Sequence, residues 1–208
     1  MKIFPLFLFL MALGAACDRE VAISNTEQPP AVEPADKPYV GVYAPLDGRW
    51  KGVFRTYRDT ARTARATRSL KGELTPEQIW SDSSIVFEDS LLVEQHYSSQ
   101  TPYFQRVTIY DYYPESGDTV LSKGVNKVQN GEMWCVIKKP DETVIHEGDR
   151  LEGQVITWER KEGNPYTEEY FHEAVRDDTY EIVGWGYYGD VDTTLSPPLW
   201  FYGKYERQ

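Results

Sequence analysis

The chain has 208 residues and a net charge of −11; 40% of its residues are hydrophobic and 14% aromatic, with 15 tyrosines and 6 tryptophans. An acidic protein repels a phosphate backbone, which argues against nucleic acid as a partner, and two cysteines, Cys17 and Cys135, are too few for a disulfide framework. Abundant Tyr and Trp without a long Leu/Ala-rich run suit pleated strands, so βαβ architectures are set aside.

The first 16 residues read as a leader. Lys2 precedes an apolar stretch, Ile3 to Ala16, and small residues lead into Cys17. That is the order of a secretory signal, and the stretch is shorter than the ~20 residues of a transmembrane helix. Its end, Leu13-Gly14-Ala15-Ala16-Cys17, resembles the lipobox of bacterial lipoproteins, although that family places Leu where this chain has Gly14. The resemblance implies cleavage before Cys17, lipid on its sulfur and on the new amino terminus, and a stable anchor in the bacterial cell envelope. The outer membrane is the expected location, with the periplasmic or surface side left open. An ordinary secretory signal cut near Ala16 is the alternative. Residues 18–40 hold four prolines, acids and small polar residues, which reads as a disordered tether. The expected boundaries are 1–16 for the signal, 17–40 for the lipidated cysteine and tether, and 41–208 for one folded domain.

Period-two alternation bounded by turn residues predicts strands at 49–58, 84–87, 91–97, 103–113, 119–128, 132–138, 143–147, 151–160, 166–176, 179–188 and 199–206. The two short segments flank Glu88-Asp89-Ser90, so the domain has about ten strands. Thr75-Pro76-Glu77-Gln78 combines an N-cap residue, a proline at the first helical position and Gln three residues after the cap. It predicts one short helix, Pro76 to Trp80, after the first strand. Asn130-Gly131 is the most hairpin-like turn, and Cys135 lies in an apolar run that suits a buried thiol. Sequential strands and tight turns predict an all-β, up-and-down antiparallel barrel, which leaves no open edge; a sandwich fits the same alternation.

The two ends of the domain carry a more particular signal. Leu46-Asp47-Gly48-Arg49-Trp50-Lys51-Gly52 opens the first strand, and Tyr202-Gly203-Lys204-Tyr205-Glu206-Arg207 ends the last. A Gly-x-Trp at the start and an Arg at the end resemble the calycin superfamily of lipocalins, fatty-acid-binding proteins and nitrobindin-like barrels. The resemblance implies a lipocalin-like barrel in which Arg207 covers Trp50 and closes the floor, a cation–π pair. It implies structure, not chemistry. Nitrobindin-like barrels hold haem through a His near the chain end. The last strand here has none, and His172 is the only substitute, so no cofactor is assigned.

Little else points to chemistry. His96, His146 and His172 have no metal-ligand spacing, and no metal site is assigned. Glu168-Glu169, Asp177-Asp178 and the pair Asp190 and Asp192 read as solvated charge, and no phosphate loop or nucleophile elbow is present. An enzyme is therefore not expected, and no catalytic residue is named. His172 shares a strand face with Glu168, Tyr170 and Ala174, which is lumen or solvent. The most distinctive stretch runs from Arg49 to Lys71, with eight basic residues and one acidic one. In calycin barrels the segment after strand one often forms a lid. A lid bearing Arg62, Arg65 and Arg68 would admit a carboxylate or phosphate, or touch anionic lipid; a solvated loop is the plainer reading. The expectation is an envelope lipoprotein whose barrel binds a small apolar or amphipathic ligand, with Arg62, Arg65, Arg68 and His172 as lid and lumen contacts. The alternative is a non-catalytic interaction module, an inhibitor or assembly factor for an envelope protein.

Overall fold

The computed structural model describes residues 21–63, 70–151 and 154–208. Ten antiparallel strands form a closed barrel in chain order: β1 (Gly48–Asp59), β2 (Ile85–Thr101), β3 (Phe104–Tyr112), β4 (Thr119–Gln129), β5 (Glu132–Lys138), β6 (Thr143–Arg150), β7 (Val155–Gly163), β8 (Tyr166–Arg176), β9 (Thr179–Tyr188) and β10 (Leu199–Arg207). β1 is bonded to both β2 and β10. That closure excludes the sandwich and leaves no free edge.

The segments 84–87 and 91–97 are one strand, not two. β2 runs through Glu88-Asp89-Ser90, and the ladder with β1 shifts register between Thr56 and Tyr57, so Glu88 is the extra residue of a bulge. The acidic triplet faces solvent instead of turning the chain, because Glu88 pairs with Arg58 on β1. Asn130 and Gly131 form the expected hairpin turn with φ of 59° and 79°. Gly131 has a second duty. Its N–H donates to Asp36 Oδ1 at 2.7 Å, and a Cβ there would meet Ala35 Cβ at 3.0 Å, so the turn also seats the N-terminal segment.

That segment corrects the tether expectation. Residues 21–46 pack on the barrel. Ala22 is buried with Phe104, Val125, Trp134 and Val136 on the outer wall. Lys127 Nζ donates to the carbonyls of Val21 and Ser24, and Arg106 to that of Thr26. Tight 3-10 turns at Pro34–Tyr39 and Ala44–Leu46 then carry the chain across one end of the barrel. Tyr43 enters the core there, its ring stacked on Trp158 at 6.4 Å and its hydroxyl donating to the Lys127 carbonyl at 2.8 Å. Prolines in this stretch favour tight turns over disorder because buried partners compensate the ordering entropy. Cys17 and the leader lie outside the described residues.

Tyr43, Trp50, Trp158, Tyr180 and Tyr205 make the floor. A second apolar cluster lies outside the wall. After β1 the chain returns at Leu70 as a strap over β8, β9 and β10, with Leu70, Leu74 and Ile79 against Tyr170, Trp185, Trp200 and Tyr202. The strap contains the short helix expected after the first strand, α1 (Glu77–Trp80), and Gln78 Oε1 accepts the Thr75 N–H at 2.7 Å.

Candidate functional site

Opposite the floor the barrel is open, and a cavity of about 340 Å³ descends between the strands. Its apolar wall includes Phe54, Ile109, Ile137, Val144, Phe171 and Phe201. The aromatic side depends on Gly184. A Cβ at that position would lie 2.4 Å from Phe171 Cβ and from Phe201 Cε2, so only glycine lets these rings meet edge to face at 6.0 Å.

The polar wall is built by β6, β7 and β8. His146, Arg160 and Glu169 all point inward, and His146 Nε2 lies 2.8 Å from Glu169 Oε2. The His146 ring stands edge-on to Phe171 at 5.0 Å. Burial acts to raise the Glu169 pKa, but the His146 hydrogen bond and the Arg160 charge outweigh it and hold the carboxyl below its ordinary value. Arg160 Nη2 also donates to Glu142 at 3.1 Å and Glu162 at 3.0 Å. These residues sit at a seam. β6 and β7 pair only over 147–150 and 156–159, so their mouthward ends part. A second cavity, of about 520 Å³, lies at the mouth and shares Lys139, Arg160, Glu169 and Tyr188 with the first.

Deeper in the lumen stands Glu173. Tyr180 donates to its Oε1 at 2.8 Å, whereas Oε2 has no well-formed hydrogen bond. Burial raises its pKa, and hydrogen bonding by Trp158 and Tyr180 offsets only part of that rise. Cys135 lines the same space; burial, then the nearby Glu173, push its thiol far above the ordinary value, which leaves it unreactive.

The structure separates the residues singled out in the sequence. Trp50 and Arg207 meet at the floor, with the guanidinium carbon 4.1 Å from the ring centre, and Arg207 Nη1 donates to the Asp47 carbonyl at 2.6 Å. Arg62 does not reach the cavity. It donates to the carbonyls of Ser196 at 3.1 Å and Asp192 at 2.6 Å, which ties it to the β9–β10 loop. Arg65 and Arg68 lie outside the described residues. The described part of the lid is the strap on the outer wall, and His172 lies beneath it instead of in the lumen. Its Nδ1 accepts the Leu74 N–H at 3.0 Å, and burial pushes its pKa down to about 4.

The lumen histidine is His146, and neither it, Arg160, Glu169, Asn126 nor Glu173 was singled out as a binding residue by sequence reading. The alternation of β8 was the available signal, since 169, 171, 173 and 175 share one face. The strap also buries the opposite face, so both faces of β8 mix apolar and charged residues.

Among the described residues, no group of three or more His, Cys, Asp or Glu is placed to hold a metal ion. The wall does not fit a haem ligand from the last strand. β10 brings Leu199 and Phe201 to the cavity, and the lumen imidazole is on β6 with Nε2 held by Glu169.

No protein-family model and no curated protein sequence matches the chain. Among solved structures it is similar to Rv2717c from M. tuberculosis, with 15% identity and a TM-score of 0.49 over 86% of this chain and 99% of that one. It is also similar to a redesigned β-barrel, with 11% identity and a TM-score of 0.37 over 81% and 96% of the two chains.

Proposed function

We propose that the protein is a ligand-binding barrel of the bacterial envelope, taking a small apolar or amphipathic molecule into its lumen. The observation that carries this reading is the cavity of about 340 Å³, apolar on most sides and polar on one. Binding sites for small molecules have this build, at roughly 300–1,000 Å³ with a few placed polar groups. Its floor is filled by large aromatics, so a guest enters from the mouth or the β6–β7 seam.

The lipobox-like Cys17 supplies the envelope part of the reading. Because the fold begins by Val21, an anchor at Cys17 is followed by only three residues before that point. At ~3.5 Å per residue such a link reaches about 14 Å. An anchored barrel would therefore lie close to the bilayer.

The test is to purify the protein from its native membrane, then measure intact mass and extract small molecules for mass spectrometry. The expected result is a lipidated chain starting at Cys17 with an amphipathic molecule in the extract. A chain that starts elsewhere without lipid contradicts the anchor, and a native preparation repeatedly free of small molecules counts against a carrier.

A further inference from the structure

The wall of the lumen bears on the chemistry of its guest, an inference that rests on the lumen being a binding site. Four lining residues carry a buried atom without a well-formed hydrogen bond: Asn126 Oδ1, His146 Nδ1, Arg160 Nε and Glu173 Oε2. The surroundings of Asn126 set its unmatched atom as an acceptor. Asp47 Oδ1 and the Tyr43 carbonyl can only accept, so they fix Gln105 Nε2 as the donor, at 2.9 and 2.8 Å. Gln105 Oε1 then receives Asn126 Nδ2 at 3.0 Å, which leaves Asn126 Oδ1 unmatched. Ionised Glu169 likewise only accepts, so His146 Nε2 carries the hydrogen, and Nδ1 offers a lone pair in the neutral ring and an N–H in the charged one. Glu173 Oε2 becomes an acceptor whenever that carboxyl is ionised.

The cations of the wall already face carboxylates, and only the Nε–H of Arg160 is left without an acceptor among the described residues. Arg160 meets Glu142, Glu162 and Glu169, the last at 3.7 Å, and Lys139 meets Glu142 at 3.2 Å. Two cations thus face three carboxylates, with Glu173 a fourth carboxyl deeper in. A carboxylate guest would have to displace an existing ion pair and would meet acceptors inside. An ammonium brings donors for Asn126 Oδ1 and Glu173 Oε2 and the favoured sign of charge.

We propose that the lumen takes an amphipathic organic cation, an apolar body bearing a primary or secondary ammonium, in preference to a fatty-acid carboxylate. Asn126 and Glu173 are its polar contacts. The guest's charge keeps Glu173 ionised, and the apolar body lies against Ile137, Phe171 and Phe201.

The test titrates the purified protein calorimetrically with n-octylamine, octan-1-ol and octanoate at neutral pH. Octylamine is expected to bind at least about tenfold more tightly than octanoate, with octan-1-ol between them. Glu173→Gln should erase the amine's advantage while octan-1-ol affinity stays within about threefold, which shows that the variant keeps its lumen. Octanoate binding as tightly as octylamine overturns this inference and leaves the lumen as a binding site. Binding of none of the three overturns the lumen reading itself.

Discussion

Arg207 lies over the indole of Trp50, its guanidinium carbon 4.1 Å from the ring centre, and the two residues are partners across the strand pair that closes the barrel. The contact joins the first strand to the last. Trp50 Nε1 donates to the Leu46 carbonyl at 2.6 Å and Arg207 to that of Asp47, so the pair also fixes the turn that leads into β1. Arg207→Ala should lower stability by about 1–2 kcal/mol, with Arg207→Lys intermediate because the ammonium keeps the charge but loses the planar stack. Trp50→Ala should cost about 3–5 kcal/mol, since it empties the floor. Urea unfolding followed by circular dichroism gives both numbers; an Arg207→Ala variant as stable as the parent would show that the stack contributes nothing.

His172 gives the fold a defined acid sensitivity. Its folded pKa of about 4 lies below the ~6.5 of an unfolded chain. Between those values the unfolded chain binds a proton that the folded one refuses, so this contribution is intact above about pH 6.5 and is lost as pH falls toward 4. The slope is at most about 1.4 kcal/mol per pH unit. His172→Asn keeps an acceptor for the Leu74 N–H and does not titrate. Unfolding midpoints of parent and variant should diverge across this window. Parallel pH curves would remove His172 as the cause.

The strap should be separable from the barrel. Tyr170 accepts the Gly72 N–H at 2.7 Å and donates to the Gly72 carbonyl at 2.8 Å, and Trp185 donates to the Leu70 carbonyl. Tyr170→Phe deletes two of these bonds and should cost about 1–3 kcal/mol. Hydrogen exchange should rise first over residues 70–80 while β3 to β5 stay protected. Uniform loss of protection would mean that strap and barrel unfold as one unit.

The N-terminal plug can be tested at Tyr43. Tyr43→Phe removes the hydroxyl with its bond to the Lys127 carbonyl, keeps the ring, and should cost about 1 kcal/mol. Tyr43→Ala leaves a hole beside Trp158 and should cost about 3–5 kcal/mol. Equal losses in thermal unfolding would show that the hydroxyl, not ring packing, holds the plug.

The barrel was legible because it is written locally: alternation marks the strands, and Asn130-Gly131 and Thr75-Pro76-Glu77-Gln78 mark a turn and a helix by their own backbone chemistry. Trp50 and Arg207 could be paired by resemblance, and they meet. The wall of the lumen was not legible for a physical reason. In a barrel with one wetted face, charge marks the outside. Here the strap and residues 21–46 cover parts of the outer wall, so His172 and Lys127 are buried there while Arg160 and Glu173 are buried inside and Glu169 lines the lumen half-buried. Period two then separates two faces without saying which is the lumen. Residues 21–40 misled in a similar way. Their composition is that of a spacer, and their order comes from partners on β3, β4 and β5 that no local pattern reveals.

The central claim is that the lumen accepts a guest, and methyl-resolved NMR with octan-1-ol or n-octylamine tests it most directly. The account predicts intermolecular contacts from the probe to the methyl groups of Ile137, Val144 and Ile182, and loss of binding in Ile137→Trp, whose indole fills the cavity. Contacts confined to the outer wall, or unchanged binding by a folded Ile137→Trp variant, would contradict it.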